Sequence, residues 1–283
     1  MLVDKAEVLA TSLEPRLRSM SNPYLLPEIL EYIIDLLQNN SETLKRCCLV
    51  SKSWVPRTRK HLFVHIELRY PSTLEAWKKT FPDVTNSPAH HARFLMVGCP
   101  ELVTAADGEE GGWIQAFSGV TCLNVNGRLE QGSGLRASEV TLAPFRKLSP
   151  TLKSLRLRRI LLPHPGLFNF ILSFPLLEDL CLTGFNDPQF NGDGPHEPPT
   201  VIPSTSPPLT GLLDLHFHEG AGDVALQLLD LPIGLRFRSL MLSWDNKTDL
   251  WWVTKLLTRC SHTLEFLEIF HRTSIIPASP PTP

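Results

Sequence analysis

The sequence contains no long uncharged apolar run, and this absence argues against two kinds of segment. The first 20 residues carry six charged side chains, so we expect no signal peptide there. No stretch reaches the roughly 18 uncharged apolar residues that a membrane-spanning helix requires. The formal net charge of −2 provides no basic field that would attract nucleic acid. The sequence therefore predicts neither a membrane partner nor a nucleic-acid partner.

Signatures of catalysis and of metal binding are also missing. The six cysteines are scattered and form no C-x-x-C pair, which indicates reduced, mostly buried thiols in the cytoplasm or nucleus. Neither a G-x-S-x-G elbow nor an H-E-x-x-H zinc motif occurs. We therefore predict a protein that is not an enzyme, with no catalytic residues, no metal and no cofactor.

Two weaker constellations favour ordinary structural explanations. The segment 132–137 formally matches the dinucleotide-binding pattern G-x-G-x-x-A, but no strand directly precedes it and no acidic residue follows about 20 positions on. His216 and His218 lie two apart on a presumed strand, a spacing that zinc could use with Asp214. No further ligand is placed by sequence, so surface histidines on a binding strand are the commoner explanation.

Proline is abundant, with 25 residues, and its distribution outlines the domains. Seven prolines lie in Asn186–Pro208, which predicts an exposed insertion. Residues 277–283 are expected to form a tail, and residues 1–21 an N-terminal segment. The remaining chain divides into a helical module at 22–66 and a larger domain at 67–276 that contains the insertion.

Residues 22–66 have the pattern of three short helices. Pro27 suits the first position of a helix, because a proline lacks the N–H that would have no partner there. Ser41 is expected to cap the second helix, and Pro56 lies in the first turn of the third. Three short helices bury little surface, so such an apolar unit should be marginal unless part of it docks on another protein.

Three separated blocks of this module resemble the F-box motif. The blocks are Leu26-Pro27-Glu28-Ile29-Leu30, Leu49-Val50-Ser51-Lys52-Ser53-Trp54 and Leu62-Phe63. The resemblance implies a surface that binds the Skp-type adaptor of a cullin-RING ubiquitin ligase. The residues that it assigns to this surface are Leu26, Pro27, Ile29, Leu49, Val50, Trp54, Leu62 and Phe63. The alternative is an N-terminal helical bundle that packs only within its own chain.

A weak repeat of the form L-x-x-L-x-L fills the larger domain. Its first positions are Val120, Leu152, Leu177, Leu212, Phe237 and Leu264. An earlier copy is indicated near Phe94–Val97, and helical stretches are expected at Leu167–Ser173, Asp223–Leu231 and Asp249–Cys260. The pattern resembles degenerate leucine-rich repeats and predicts an irregular solenoid with a curved parallel sheet, hence an α/β or α+β chain overall. An irregular α/β domain with leucine-rich strands is the alternative.

The alternation of a strand predicts which side chains face away from the core. If Leu155 and Leu157 point inward, Arg156 and Arg158 must point outward. The outward residues predicted to bind a protein target are Arg156, Arg158, Asp214, His216, His218, Phe266 and Phe270. The sequence thus favours a substrate receptor of a ubiquitin ligase. The alternatives are an interaction protein that acts outside a ligase and, less favoured, an enzyme with an unrecognised site.

Overall fold

The computed structural model describes residues 26–98, 112–127, 135–136, 139–161, 164–184, 207–216, 221–231, 234–244 and 250–271. The predicted N-terminal segment at 1–21, the tail at 277–283, the segment 132–134 and all but the last two residues of the insertion at 186–208 lie outside these ranges. The chain divides into two compact units, Met1–Leu62 and Phe63–Pro283.

The described residues of the first unit form three helices, α1 (Pro27–Leu36), α2 (Ser41–Val50) and α3 (Val55–Leu62). Pro27 begins α1 as predicted. The cap of α2 is Asn40 and not the predicted Ser41, because the Asn40 side chain accepts the Thr43 backbone N–H at 3.0 Å. Helix α3 packs against both α1 and α2.

Few side chains of the first unit are buried. Among its described residues these are Ile34, Leu44, Cys47 and Thr58. A core of this size stabilises the fold only weakly, because the hydrophobic contribution scales with the apolar area that is removed from water.

The second unit is built on parallel strands that alternate with helical segments. Across the described ranges, eight strands form one parallel sheet: β1 (His65–Leu68), β2 (Phe94–Gly98), β3 (Cys122–Asn126), β5 (Ser154–Arg158), β7 (Asp179–Thr183), β8 (Leu212–His216), β9 (Ser239–Trp244) and β10 (Phe266–His271). Two short strands, β4 (Leu135–Arg136) and β6 (Ile160–Leu161), pair beside it, also in parallel. The strand order of the main sheet follows the chain without reversal. It therefore lacks the switch point at which doubly wound sheets bind ligands.

Helical segments connect the strands and pack against one another. The α-helices described in this unit are α4 (Pro71–Thr80), α5 (Glu139–Leu142), α6 (His164–Leu172), α7 (Ala221–Leu229) and α8 (Leu250–Cys260). The 3₁₀ segments are Pro88–His91, Gly112–Phe117 and Ala143–Leu148. The three predicted helical stretches correspond to α6, α7 and α8, with ends that differ by at most three residues. Parallel neighbouring strands require crossover connections of this kind, because the chain must return to the same end of the sheet.

Two rows of apolar side chains cross the sheet in register. One row is Ile66, Leu95, Leu123, Leu155, Leu180, Leu213, Leu240 and Leu267, and the other is Leu68, Val97, Val125, Leu157, Leu182, Leu215, Leu242 and Ile269. From β1 to β9 these residues are buried and join one continuous core with residues of the helical segments. The α/β class with a parallel sheet is therefore confirmed.

The predicted alignment of β8 is wrong by two residues. The sequence placed Leu212, Leu215 and Phe217 in the repeat, whereas Leu213 and Leu215 pair with Leu180 and Leu182. Buried Leu209, with a φ of 43°, takes the preceding apolar place, and its N–H donates to the Leu177 carbonyl at 3.0 Å. A shift of two residues leaves every side chain on its predicted face, so Asp214 and His216 still point outward.

Candidate functional site

The first unit exposes the apolar residues that carry the motif. Leu26 and Ile29, at the start of α1, are 62% and 45% exposed. Leu49 and Val50, at the end of α2, are 87% and 67% exposed. Pro27 is exposed as well. Large apolar side chains that are this open in so small a unit are typical of an interaction surface.

The remaining motif residues have other surroundings. Trp54 and Leu62 are half-buried. Phe63 belongs to the second unit, where its ring lies edge-on to Trp77 and Phe81 with ring centroids 5.9 and 6.0 Å away. Phe63 therefore packs against α4 and its end, and its assignment to an adaptor surface remains a prediction.

Helix α1 presents three further apolar side chains that the sequence did not assign to a site. Tyr32, Ile33 and Leu36 are all exposed. Helical periodicity can place Ile33 and Leu36 on a helix face, but it could not show that they stay uncovered. We refer to Leu26, Ile29, Tyr32, Ile33, Leu36, Leu49 and Val50 as the apolar helix residues.

A charged cluster ties α1 to α3. The Asp35 carboxylate accepts hydrogen bonds from Arg57 Nε at 2.7 Å and from His61 Nε2 at 2.6 Å, and Arg57 Nη2 also contacts it. These hydrogen bonds, first that of Arg57 and then that of His61, hold the pKa of Asp35 well below its usual range. The cluster fixes the helix that carries most of the apolar helix residues.

The predicted target residues lie on the outward side of the sheet, as the alternation required. Arg156 and Arg158 project from β5, and Asp214 and His216 from β8. Arg158, Thr183 and His216 are in register across three adjacent strands. His218 lies outside the described residues.

Phe266 and Phe270 lie on the edge strand β10. They are 51% and 39% exposed. The Phe270 ring lies 5.2 Å from that of His216, centroid to centroid, across the small Ser243 of β9. The sheet thus brings two predicted target residues from separate strands into contact.

Cys181, Asp214 and His216 form a polar cluster on β7 and β8. The Cys181 thiol donates to Asp214 Oδ2 at 3.1 Å, and His216 Nδ1 donates to Asp214 Oδ1. Burial and the adjacent Asp214 carboxylate raise the pKa of Cys181 to about 12. A nucleophilic cysteine needs the opposite shift in pKa, which a nearby positive charge or an adjacent histidine base provides. This arrangement therefore keeps the Cys181 thiol protonated, and the hydrogen bond from Cys181 to Asp214 links strand β7 to strand β8.

Strand β3, two strands away from Cys181, carries two asparagines with unsatisfied oxygens. Asn124 is 4% exposed, and within the described ranges its Oδ1 and that of Asn126 have no hydrogen-bond partner. Leaving a buried acceptor unpaired costs about 1–3 kcal/mol. Asn126 also borders an open cleft of ≈ 300 Å³ that is lined by Arg69, Tyr70, Met96 and Gly98.

The described residues contain no group of three His, Cys, Asp or Glu side chains that could hold a metal ion. None of the helices in these ranges has both the length and the apolar character that a membrane crossing needs. No protein-family model matches the chain, and no curated protein is similar enough to count as a relative.

Proposed function

We propose that the protein is a substrate receptor of a Skp–cullin–F-box-type ubiquitin ligase, acting in the cytoplasm or nucleus. In this proposal the first unit is an F-box that binds the Skp-type adaptor. The sheet unit is a degenerate leucine-rich-repeat domain that holds a protein target. The protein itself catalyses nothing; other subunits of the ligase transfer ubiquitin.

The exposure of the apolar helix residues is the observation that carries this proposal. Leu26, Ile29, Leu49 and Val50 occupy F-box positions and remain open to solvent. Exposing so much apolar surface is unfavourable for an isolated unit, and covering it by a partner would remove that cost at about 25 cal/mol per Å². The non-reversing parallel sheet supports the second half of the proposal, because each strand pairs with the preceding one as stacked repeats require.

Adaptor binding by the purified chain tests the first half. Replacing Leu26 and Pro27 by Ala removes an exposed contact and the residue that begins α1, so we expect the dissociation constant for a Skp-type adaptor to rise by more than about tenfold, or ~1.4 kcal/mol. A second double variant, Leu49→Ala with Val50→Ala, should weaken binding similarly without altering the start of α1. Isothermal titration calorimetry measures both.

The matched control replaces Lys45 and Arg46, which are exposed polar residues on the same helix as Leu49. Lys45→Ala with Arg46→Ala should leave adaptor affinity within about twofold, because exposed charges contribute little. Unchanged adaptor binding by both apolar double variants, with circular dichroism showing folded protein, would exclude the F-box assignment.

Target capture tests the second half. Changing Arg156, Arg158, Phe266 and Phe270 to Ser removes side chains from two separate parts of the outward face. Affinity purification from cells followed by mass spectrometry should recover the adaptor and cullin with this variant but lose the targets that the wild-type chain retains. Retention of the same targets by a folded variant would contradict target binding on this face.

The same purification separates the alternatives. An interaction protein that acts outside a ligase would recover targets through the sheet face without adaptor or cullin. An enzyme would require a cleft with convergent titratable groups. The Cys181 cluster does not supply one, because its thiol remains protonated at neutral pH.

A further inference from the structure

The carboxylates on the outward face of the sheet are mostly engaged by near neighbours. Glu67 pairs with Arg69 at 2.6 Å, and Asp179 accepts the Leu212 backbone N–H at 2.8 Å. Asp214 accepts hydrogen bonds from Cys181 and His216. Glu268, the remaining outward carboxylate of the described strands, lies on β10, four strands from β5.

The two arginines of β5 contrast with these carboxylates. Within the described ranges, Arg156 and Arg158 make no salt bridge and no side-chain hydrogen bond. Arg156 is half-buried and Arg158 is exposed. They leave two guanidinium groups on one strand available for an anion, and guanidinium groups bind carboxylate and phosphate through paired N–H donors.

The asparagines of β3 stand beside these arginines in register. Asn124 pairs with Arg156, and Asn126 pairs with Arg158. The two asparagines are separated by about 6.6 Å along the strand, which is also the repeat of same-side backbone N–H groups in an extended peptide. Buried acceptors are nearly always satisfied, so the unpaired Oδ1 atoms lack donors that a ligand would provide once the side chains that cover them move aside.

The cleft next to Asn126 adds room for a side chain. Its floor includes Gly98, where an added Cβ would lie only 2.5 Å from the Arg69 carbonyl oxygen. The half-exposed Tyr70 and the flexible Met96 give it an apolar wall. At ≈ 300 Å³ it lies at the small end of ligand pockets, and it is open along one side, as a binding site for part of a longer chain must be.

We infer that β2, β3 and β5 bind an extended peptide with an anionic side chain. Asn124 and Asn126 accept its backbone N–H groups, Arg156 and Arg158 hold its carboxylate or phosphate, and the cleft takes a neighbouring side chain. The inference rests on the proposed function, because the anionic peptide would be part of the protein target that the receptor holds on its sheet face. A nucleic acid is disfavoured because the chain has a net charge of −2, and a pair of arginines does not form the extended basic patch that a phosphate backbone requires.

Degenerate peptide libraries test the inference with the full chain. Four libraries are fixed at one central position as Glu, phosphoserine, Gln or Lys, and the peptides retained by the immobilised protein are quantified by mass spectrometry. We expect the Glu or the phosphoserine library to be retained about tenfold more than the Gln and Lys libraries, or ~1.4 kcal/mol. Whichever of these two libraries is retained more strongly shows whether the site prefers a carboxylate or a phosphate.

Variants assign the preference to the two arginines. Arg156→Gln with Arg158→Gln should abolish the anionic preference, and Arg156→Lys with Arg158→Lys should restore part of it, because lysine keeps the charge but loses the paired donors. The matched control is Arg236→Gln with Arg238→Gln, which removes two exposed positive charges beside β9 and should retain the preference.

Equal retention of all four libraries by the wild-type chain would overturn the inference. So would an anionic preference that survives in the Arg156→Gln, Arg158→Gln variant, or tighter binding of a mixed-sequence oligonucleotide than of any library. Adaptor affinity is measured on the same samples. Peptide selection without adaptor binding would leave this inference standing and reject the ligase proposal, and the reverse result would reject this inference alone.

Discussion

Asp35 shows how one residue can organise a small helical unit. Its carboxylate receives hydrogen bonds from two side chains of α3, Arg57 and His61, and so links the first helix to the third. The unit has few buried apolar side chains, so a charged cluster of this kind supplies a larger share of its stability than it would in a large domain. About one-third of the Asp35 side chain remains open to solvent, which limits that contribution.

The lowered pKa of Asp35 predicts acid sensitivity of the helical unit. The carboxyl has a lower pKa in the folded chain than in the unfolded chain, where it is about 3.9. The stabilisation is therefore present above about pH 4 and is lost as the pH falls toward the folded-state pKa. Hydrogen exchange of peptides from 27–62, resolved by mass spectrometry, should show protection that decreases from pH 6 to pH 3.

Two substitutions make this prediction specific. Asp35→Asn should reduce protection at pH 6 and remove most of its pH dependence. Glu42→Gln should change little, since Glu42 contacts Lys45 and Arg46 only at 3.8 and 3.7 Å on an exposed surface. A wild-type pH profile retained by Asp35→Asn would show that the cluster does not stabilise these helices.

At the scale of elements, the two edges of the sheet differ. Ile66 and Leu68 on the edge strand β1 are 5% and 4% exposed, whereas Leu267 and Ile269 on the edge strand β10 are 42% and 44% exposed. Both pairs belong to the same two inward rows. The core therefore covers one edge strand well and the other only partly.

This asymmetry predicts different costs for the same truncation in one row. Leu242→Ala on β9 removes a fully buried side chain and should lower the free energy of unfolding by about 2–5 kcal/mol. Ile269→Ala on β10 should cost less than about 1.5 kcal/mol, because nearly half of the side chain is already in water. Urea denaturation followed by circular dichroism gives both values. Equal costs would mean that β10 is covered in solution.

For the whole molecule, the division after Leu62 separates two units that are stabilised by different interactions. The continuous core of the sheet unit is formed by residues from Ile66 to Cys260 and, among the described residues, includes none from the helical unit. The helical unit has its own buried residues and its charged cluster. Each unit should therefore unfold according to its own interactions.

Truncation tests this independence. A chain that begins at Phe63 should unfold cooperatively, with a midpoint within a few degrees of the sheet transition of the full chain. Differential scanning calorimetry of both chains provides the comparison. Loss of cooperative unfolding in the shorter chain would show that the sheet unit depends on the first 62 residues.

Local patterns in the sequence were sufficient for much of this fold. Alternating leucines defined the strands and their inward and outward faces, because a strand places successive side chains on opposite sides. Pro27 marked the beginning of α1, since proline fits a first helical turn. These features depend on neighbouring residues, and so the sequence determined them by itself.

Only the tertiary structure decided the strand alignment, the long-range contacts and the exposure of side chains, because these depend on residues that are distant in the sequence. The Leu212-Leu213-Asp214-Leu215 segment allowed two alignments, and pairing with Leu180 and Leu182 selected one. The contact of Cys181 with Asp214 joins residues 33 positions apart. Exposure was decided in the same way: Leu242 and Ile269 occupy the same row, but only Leu242, whose strand has a described neighbour on each side, is fully buried. Burial depends on what packs alongside a residue, and no local pattern contains that information.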